Sequence, residues 1–195
     1  AHVVVGDLAS PADCERIMEE ALSVAGKLDI LINSASRFTR NCLMNSDAEA
    51  VAREFQINLF APMTLTRTFA AAMNDRLEPL TDGVPRGHVI NLLDRRVTGL
   101  DTEFMPYVLS KKSLQAFTRM AAVELAPSIA VNAIAPGAIL PPIVGDGASP
   151  GEPRGDAPLD YRCSPADIVQ AALYLLSAPG VTGQTLYVDS GQNLL

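Results

Sequence analysis

Tyr107 and Lys111 stand four residues apart in Tyr-Val-Leu-Ser-Lys, near the start of a long stretch with helical periodicity. On a helix that spacing puts both side chains on one face, one above the other. An ammonium beside a phenol favours the phenolate and lowers the phenol's pKa. A phenol tuned in that way can give or take a proton near neutral pH. The same spacing also occurs as an ordinary surface pair, so its meaning depends on its company. The other residue types that do chemistry offer little. Cys14, Cys42 and Cys163 are scattered, odd in number and without metal-ligand spacing, which fits reduced thiols in a cytosolic protein. His2 and His88 adjoin apolar runs with no cluster of ligands around them.

The elements that must position these residues follow from the apolar pattern. Residues 2–8 read as a buried strand ending at Asp7. Ser10-Pro11 then opens a helix, Ser as N-cap and Pro at its first position, and Gly26 stops it. Residues 28–33 form a second strand. A small-residue stretch, Asn33-Ser34-Ala35-Ser36, leads into a loop. A helix starting at Ser46 or Asp47 breaks or kinks at Pro62 and resumes to about Met73. Residues 78–87 are a Pro/Gly loop and 88–93 a third strand ending at Asp94. The Tyr-Lys helix spans about 106–125. A fourth strand, 129–135, closes on Pro136-Gly137. Residues 138–163, rich in Pro and Gly, are too long for an ordinary connection and suggest a substrate loop. Ser164-Pro165 opens the last helix, to about Ser177, and 185–188 is the last strand.

Val/Ile/Leu-rich strands alternating with amphipathic helices mean a parallel sheet covered on both faces. Ligands in such sheets bind at the carboxyl ends of the strands. Asp7, Asn33, Asp94 and Pro136-Gly137 all fall at those ends, on one rim. Composition narrows the function classes. The chain of 195 residues suits a single domain. A net charge of -7 argues against a nucleic-acid or anionic-membrane surface. No apolar run reaches transmembrane length, and a cytoplasmic protein is expected.

Taken together, these residues resemble the short-chain dehydrogenase/reductase family over essentially the whole chain. The resemblance implies a Rossmann-like doubly wound parallel α/β sheet. Asp7-Leu8 resembles the acidic position that bonds the adenine ring. Asn33-Ser34-Ala35 resembles the stretch that passes beneath the adenosine. Asn58 resembles the helix Asn that holds a water in a proton relay to the Lys. Tyr107 and Lys111 resemble the catalytic pair, and Pro136-Gly137 resembles the Pro-Gly beside the nicotinamide. Residues 187–191 resemble the family's last strand and its Asp-Gly-Gly end. Each has a plainer alternative: Asp7 capping the turn before Ser10, Asn33 and Asn58 satisfying buried backbone, and Pro136-Gly137 only ending a strand.

Two departures stand out. The family opens with a strand, a Gly-rich turn and a helix that holds the cofactor phosphates. Here Gly6 stands alone, and the resemblance begins at the family's third strand. The expectation is an N-terminally incomplete domain lacking two strand-helix units, roughly fifty residues. The first strand would then lack its neighbours and leave a core face exposed. The alternative is a naturally short protein with a degraded cofactor site. The second departure is Asp94, in Asn-Leu-Leu-Asp, where the family has its catalytic Ser. One subgroup carries Asp there: the pteridine reductases and the similar bacterial dihydromonapterin and dihydrofolate reductases. Phe38, in Asn-Ser-Ala-Ser-Arg-Phe, matches by position that subgroup's aromatic residue that stacks on the pterin.

The resemblance implies a reductase using NADPH, with NADH as the alternative because the Gly-rich segment is absent. Lys111 would bind the ribose hydroxyls and tune Tyr107, Tyr107 would donate the proton, and Asn58 would anchor the relay water. Asp94 would orient Tyr107 and accept hydrogen bonds from a ring bearing N–H groups, which a Ser hydroxyl would do less well. Phe38 would stack on that ring. Tyr161 and Arg162 are weaker substrate contacts, and Lys112 is a solvated charge. The expected partners are a small-molecule substrate and further copies of the chain, as a tetramer or dimer. Two rivals remain: a ketone or alcohol reductase in which Asp94 merely replaces Ser, and a non-catalytic paralogue.

Overall fold

The computed structural model describes residues 1–74, 83–140 and 157–195. Helix α1, Pro11–Ala25, starts as its sequence predicts. Ser10 Oγ accepts from the Asp13 amide at 3.3 Å, and Gly26 ends the helix with φ 71°. Strand β1 is Ile30–Asn33. Helix α2, Ala48–Phe55, is capped by Asp47, whose carboxylate accepts from the Ala50 amide at 2.7 Å. It runs through a π turn, Gln56–Phe60, directly into helix α3, Ala61–Asn74. The disturbance expected at Pro62 is therefore real, and it lies on the N-terminal side. Proline has no N–H to offer the carbonyl four residues back, and the ladder widens to i→i−5, with the Ala61 amide on Gln56 O.

Strand β2 is Gly87–Leu92, helix α4 Met105–Glu124 and strand β3 Ile129–Pro136. Helix α5, Pro165–Ser177, begins at a capping box between Ser164 and Asp167, and strand β4 is Thr185–Val188. The four strands among the described residues are all parallel, in the order β1-β2-β3-β4, with Val89 opposite Val131 and Ala135 opposite Tyr187. The sheet is wound on both faces, as parallel sheets require. Val89, Val131 and Ile129 face α1, α3 and α4, packing with Phe69, Leu65 and Ala121. Ile90 and Ile134 point the other way, onto Ala171 and Leu175 of α5. Along β3 this alternation buries Ile129 through Ala135 completely or nearly so.

One expected element does not form. Residues 2–8 join no strand ladder, and Val3 and Val5 are 87% and 78% exposed. The apolar run is real, but a strand needs a neighbour for its amides and carbonyls. β1 is the edge of the sheet among the described residues. Its Ile30 and Ile32 are about half exposed, while Leu31 and Asn33 turn to the core. Half of the Pro/Gly loop at 78–87 and most of the 138–163 substrate loop lie outside the described residues. No helix among the described residues is long and apolar enough to cross a membrane.

Candidate active site

The ends of β1, β2 and β3 open onto one cleft of about 490 Å³, lined by Ser34, Ser36, Leu92, Tyr107, Lys111 and Gly137, among others. α4 delivers two of these because Tyr107 and Lys111 lie on its buried face, 5% and 2% exposed. The Tyr107 hydroxyl donates to Asp94 Oδ2 at 2.9 Å. Lys111 Nζ donates to the Leu92 carbonyl at 2.7 Å, at the last residue of β2. Asp94 is held in turn. Its Oδ1 accepts from the Arg96 amide at 2.8 Å, and Oδ2 meets the Arg96 guanidinium at 3.2 Å. Arg96 also bonds Asp101 through Nε at 2.9 Å.

The electrostatics differ from the expectation that Lys111 lowers the Tyr107 pKa. Tyr107 is pushed above the ordinary phenol range, first by burial and then by the Asp94 carboxylate, whose charge opposes a phenolate and whose hydrogen bond favours the O–H. Lys111 Nζ is turned to Leu92 O, 6.0 Å from the Tyr107 ring centroid. Burial pushes Lys111 itself down to about 8, partly opposed by the charges of Asp94 and Glu54. Tyr107 therefore keeps its proton through neutral pH and is arranged as an acid.

The opposite wall is the loop after β1. Phe38 meets Tyr107 edge to face, with centroids 4.7 Å apart, and stacks on Phe104 at 4.4 Å. The Arg96 guanidinium lies 5.3 Å from both phenylalanine rings. Asn58, in the π turn, secures this loop. Its Oδ1 accepts from the Arg37 amide at 2.8 Å and from Ser36 Oγ at 3.1 Å. Its Nδ2 donates to Arg37 O, Glu54 Oε2 and Ser110 Oγ at 2.9 to 3.1 Å. Below the cleft, Asn33 Nδ2 donates to Asn91 Oδ1 at 2.8 Å, and Asn91 Nδ2 to Thr118 Oγ1 at 2.9 Å, tying three elements together.

Of the residues singled out from sequence, Tyr107, Lys111, Asp94, Asn58, Phe38, Pro136 and Gly137 come together at or beside the cleft. Gly137 lies against the last strand's end: its amide donates to Val188 O at 3.0 Å, and a Cβ there would fall 2.8 Å from Asp189 Cα. Ala35 is exposed at the mouth of the loop. Asp7 and Leu8 stand at the start of α1 and are not among the cleft-lining residues. Asp7 Oδ1 caps the turn before the helix, accepting from the Ala9 amide at 2.9 Å, and Leu8 packs on the core. Tyr161 donates to Asp167 at 2.9 Å, and Lys112 donates to Gly99 O at 2.8 Å. Sequence reasoning missed Arg96, Phe104 and Glu54. Arg96 had a signal, two residues after Asp94 at a strand end. Glu54 had only its place one helical turn before Asn58.

The chain matches a family model described as enoyl-(acyl carrier protein) reductase over residues 1–193. It is 35% identical to an uncharacterized oxidoreductase of Mycobacterium tuberculosis, over 98% of this chain and 72% of that protein. It is 30% identical to the 3-oxoacyl-[acyl-carrier-protein] reductase of Bos taurus, over 96% of this chain and 76% of the relative. Among solved structures, FolM alternative dihydrofolate reductase 1 from Brucella suis, in complex with NADP, superposes with a TM-score of 0.83 at 31% identity. That alignment covers 99% of this chain and 74% of the Brucella chain. A parallel sheet wound on both faces, a buried Tyr-Lys pair at its rim and matches along the whole chain agree: the protein belongs to the short-chain dehydrogenase/reductase family of oxidoreductases.

Proposed function

We propose that this protein is an NADPH-dependent reductase of a pteridine, a dihydropterin such as dihydrobiopterin or a dihydrofolate. The observation that carries the reading is the Asp94 carboxylate bonded to the Tyr107 hydroxyl, with the Phe38 ring edge-on to Tyr107. A flat heteroaromatic ring bearing N–H and amino groups needs acceptors at its edge and an apolar face. The Asp94 and Phe38 side chains supply both. The NADP in the Brucella suis structure supports the phosphorylated cofactor.

The residues fit a nicotinamide dinucleotide. Lys111 has three donors and makes one hydrogen bond, to Leu92 O, so two donors remain for ribose hydroxyls. Pro136 and Gly137 would flank the nicotinamide, and Asn33 and Ala35 the adenosine, with Asp7 and Leu8 towards the adenine. A bound cofactor would supply the hydride for reduction of a C=N bond. Tyr107 gives the proton to the nitrogen, and its raised pKa suits a donor that must be protonated at neutral pH. Asp94 holds the Tyr107 hydroxyl in place and keeps a lone pair on Oδ1 for a substrate N–H. Asn58 positions the loop through its side chain. Its main-chain carbonyl, four residues before Pro62, has no i+4 amide to accept from and is the acceptor for a relay water. A homo-oligomer, dimer or tetramer, is supported by apolar side chains on the outer face of α4, where Met120 and Val123 are 71% and 82% exposed.

The test is NADPH oxidation with dihydrobiopterin and with dihydrofolate, beside a Tyr107→Phe control. Turnover that disappears in the control is expected. No turnover with cofactor still bound overturns the pteridine reading. A second reading, reduction of a ketone, is favoured by the similarity to the bovine 3-oxoacyl reductase. Asp94→Ser separates the two, because it removes the acceptor that a pterin requires and supplies the donor that a carbonyl oxygen prefers.

A further inference from the structure

Glu54 is a carboxylate that the chemistry above does not use, yet it is 1% exposed on α2. Its Oε2 accepts from Asn58 Nδ2 at 3.0 Å, while its Oε1 lies 3.5 Å from Arg37 Nε with no hydrogen bond from either atom. A buried carboxylate without a cation is costly, and Arg37 is the cation that covers it. Arg37 is also the residue whose backbone is clamped at both ends by the Asn58 amide, N–H on Oδ1 and C=O on Nδ2. The next residue is Phe38.

We propose that Glu54 is a positioning residue. With Arg37 it fixes which way the Asn58 amide faces, and through the Arg37 backbone it sets the seat of Phe38 against Tyr107. An amide can turn over, exchanging its oxygen and nitrogen. With the nitrogen facing the Arg37 N–H, both backbone bonds to the loop would be lost. The Glu54 carboxylate can only accept, so it holds the nitrogen on its side, and Ser110 Oγ, which donates to the Tyr107 carbonyl at 2.6 Å, does the same. The charge of Glu54 also reaches both Tyr107 and Lys111, which places it close behind them. The substrate-side wall is in this way held by side-chain hydrogen bonds to Asn58, backed by the buried Glu54 carboxylate and its partly exposed partner Arg37, rather than by strand or helix.

The inference rests on the pteridine reading only for the choice of substrate, and the experiment keeps the two apart. Glu54→Leu is expected to raise the KM for dihydrobiopterin about tenfold, the loss of one charge-assisted hydrogen bond. The NADPH dissociation constant, read from its fluorescence at about pH 6.5, where Lys111 keeps its charge without help from Glu54, stays within about twofold. Glu54→Gln keeps an acceptor for Asn58 and recovers most of the KM. Arg37→Leu leaves the carboxylate buried and unpaired, so it is more harmful than Glu54→Leu, and the double variant is milder than Arg37→Leu alone. A substrate-free arm measures trypsin cleavage after Arg37, expected to be about tenfold faster in Glu54→Leu than in wild type as the latch opens. Should wild type turn over no pteridine, the pteridine reading fails and the cleavage rate alone decides the latch. Unchanged KM and unchanged cleavage in Glu54→Leu overturn the proposal. So does an equal loss of NADPH binding and substrate affinity in both Glu54 variants, which marks general unfolding.

Discussion

The two walls of the cleft are built on different principles. One wall carries Tyr107 and Lys111 on a 20-residue helix packed against β3, with Lys111 tied to the main chain at the end of β2. Backbone ladders and buried apolar faces hold it. The other wall, residues 34–38, has no regular structure and is held by side-chain hydrogen bonds to Asn58 and by ring stacking on Phe104. The first arrangement fixes where a proton is given, to within the precision of a helix. The second can be retuned by single substitutions without touching the sheet. The contrast suggests where chemistry and selectivity reside: reaction on the ladder side, substrate choice on the loop side.

The predictions break this contrast in turn. Removing the proton donor strikes the ladder wall hardest: Tyr107→Phe is expected to lower kcat by about 10²- to 10⁴-fold with NADPH binding retained. Next, kcat/KM should fall about tenfold per pH unit above roughly pH 8. Burial lowers the Lys111 pKa to about 8, so its ammonium is present below that pH and lost above it. A flat profile to pH 9 would show that the ammonium is not required. Asp94→Ser should cost about ten- to a hundredfold in pteridine turnover, the worth of a charged hydrogen bond, and full retention would favour a ketone substrate. On the loop wall, Phe38→Ala should raise KM about tenfold while leaving kcat nearly unchanged, consistent with the worth of an aromatic contact and its buried area. The smallest effect lies far from both walls: Ser10→Ala removes the α1 cap and should lower unfolding free energy by about 1 kcal/mol in urea titration, with activity intact.

Much of this was legible in the order of residues. Ser10-Pro11 and Gly26 bound α1 because capping chemistry is local. The strands β2 and β3 were readable because both faces are buried, which leaves continuous apolar runs. Residues 2–8 show the same pattern and form no strand, because pairing is a property of the neighbour and not of the run. The Tyr107 pKa was misread for a similar reason. The Lys four residues on was visible in sequence, whereas the Asp94 carboxylate thirteen residues back makes the contact. Glu54 was invisible because a Glu on an amphipathic helix is ordinarily solvated, and only the fold shows that it faces inward.

The π turn at Gln56–Phe60 amounts to one extra residue accommodated within a continuous helix. Each residue turns an α-helix by about 100°, so the halves on either side keep separate phases. Up to Asn58 the helix presents Glu54 and Asn58 to the site, and beyond Pro62 it presents Leu65, Phe69 and Met73 to the core. Deleting one residue there would tidy the hydrogen bonds and rotate one half out of alignment with its partners. The irregularity acts as a phase coupler, allowing a single helix to serve two clients with incompatible facing requirements.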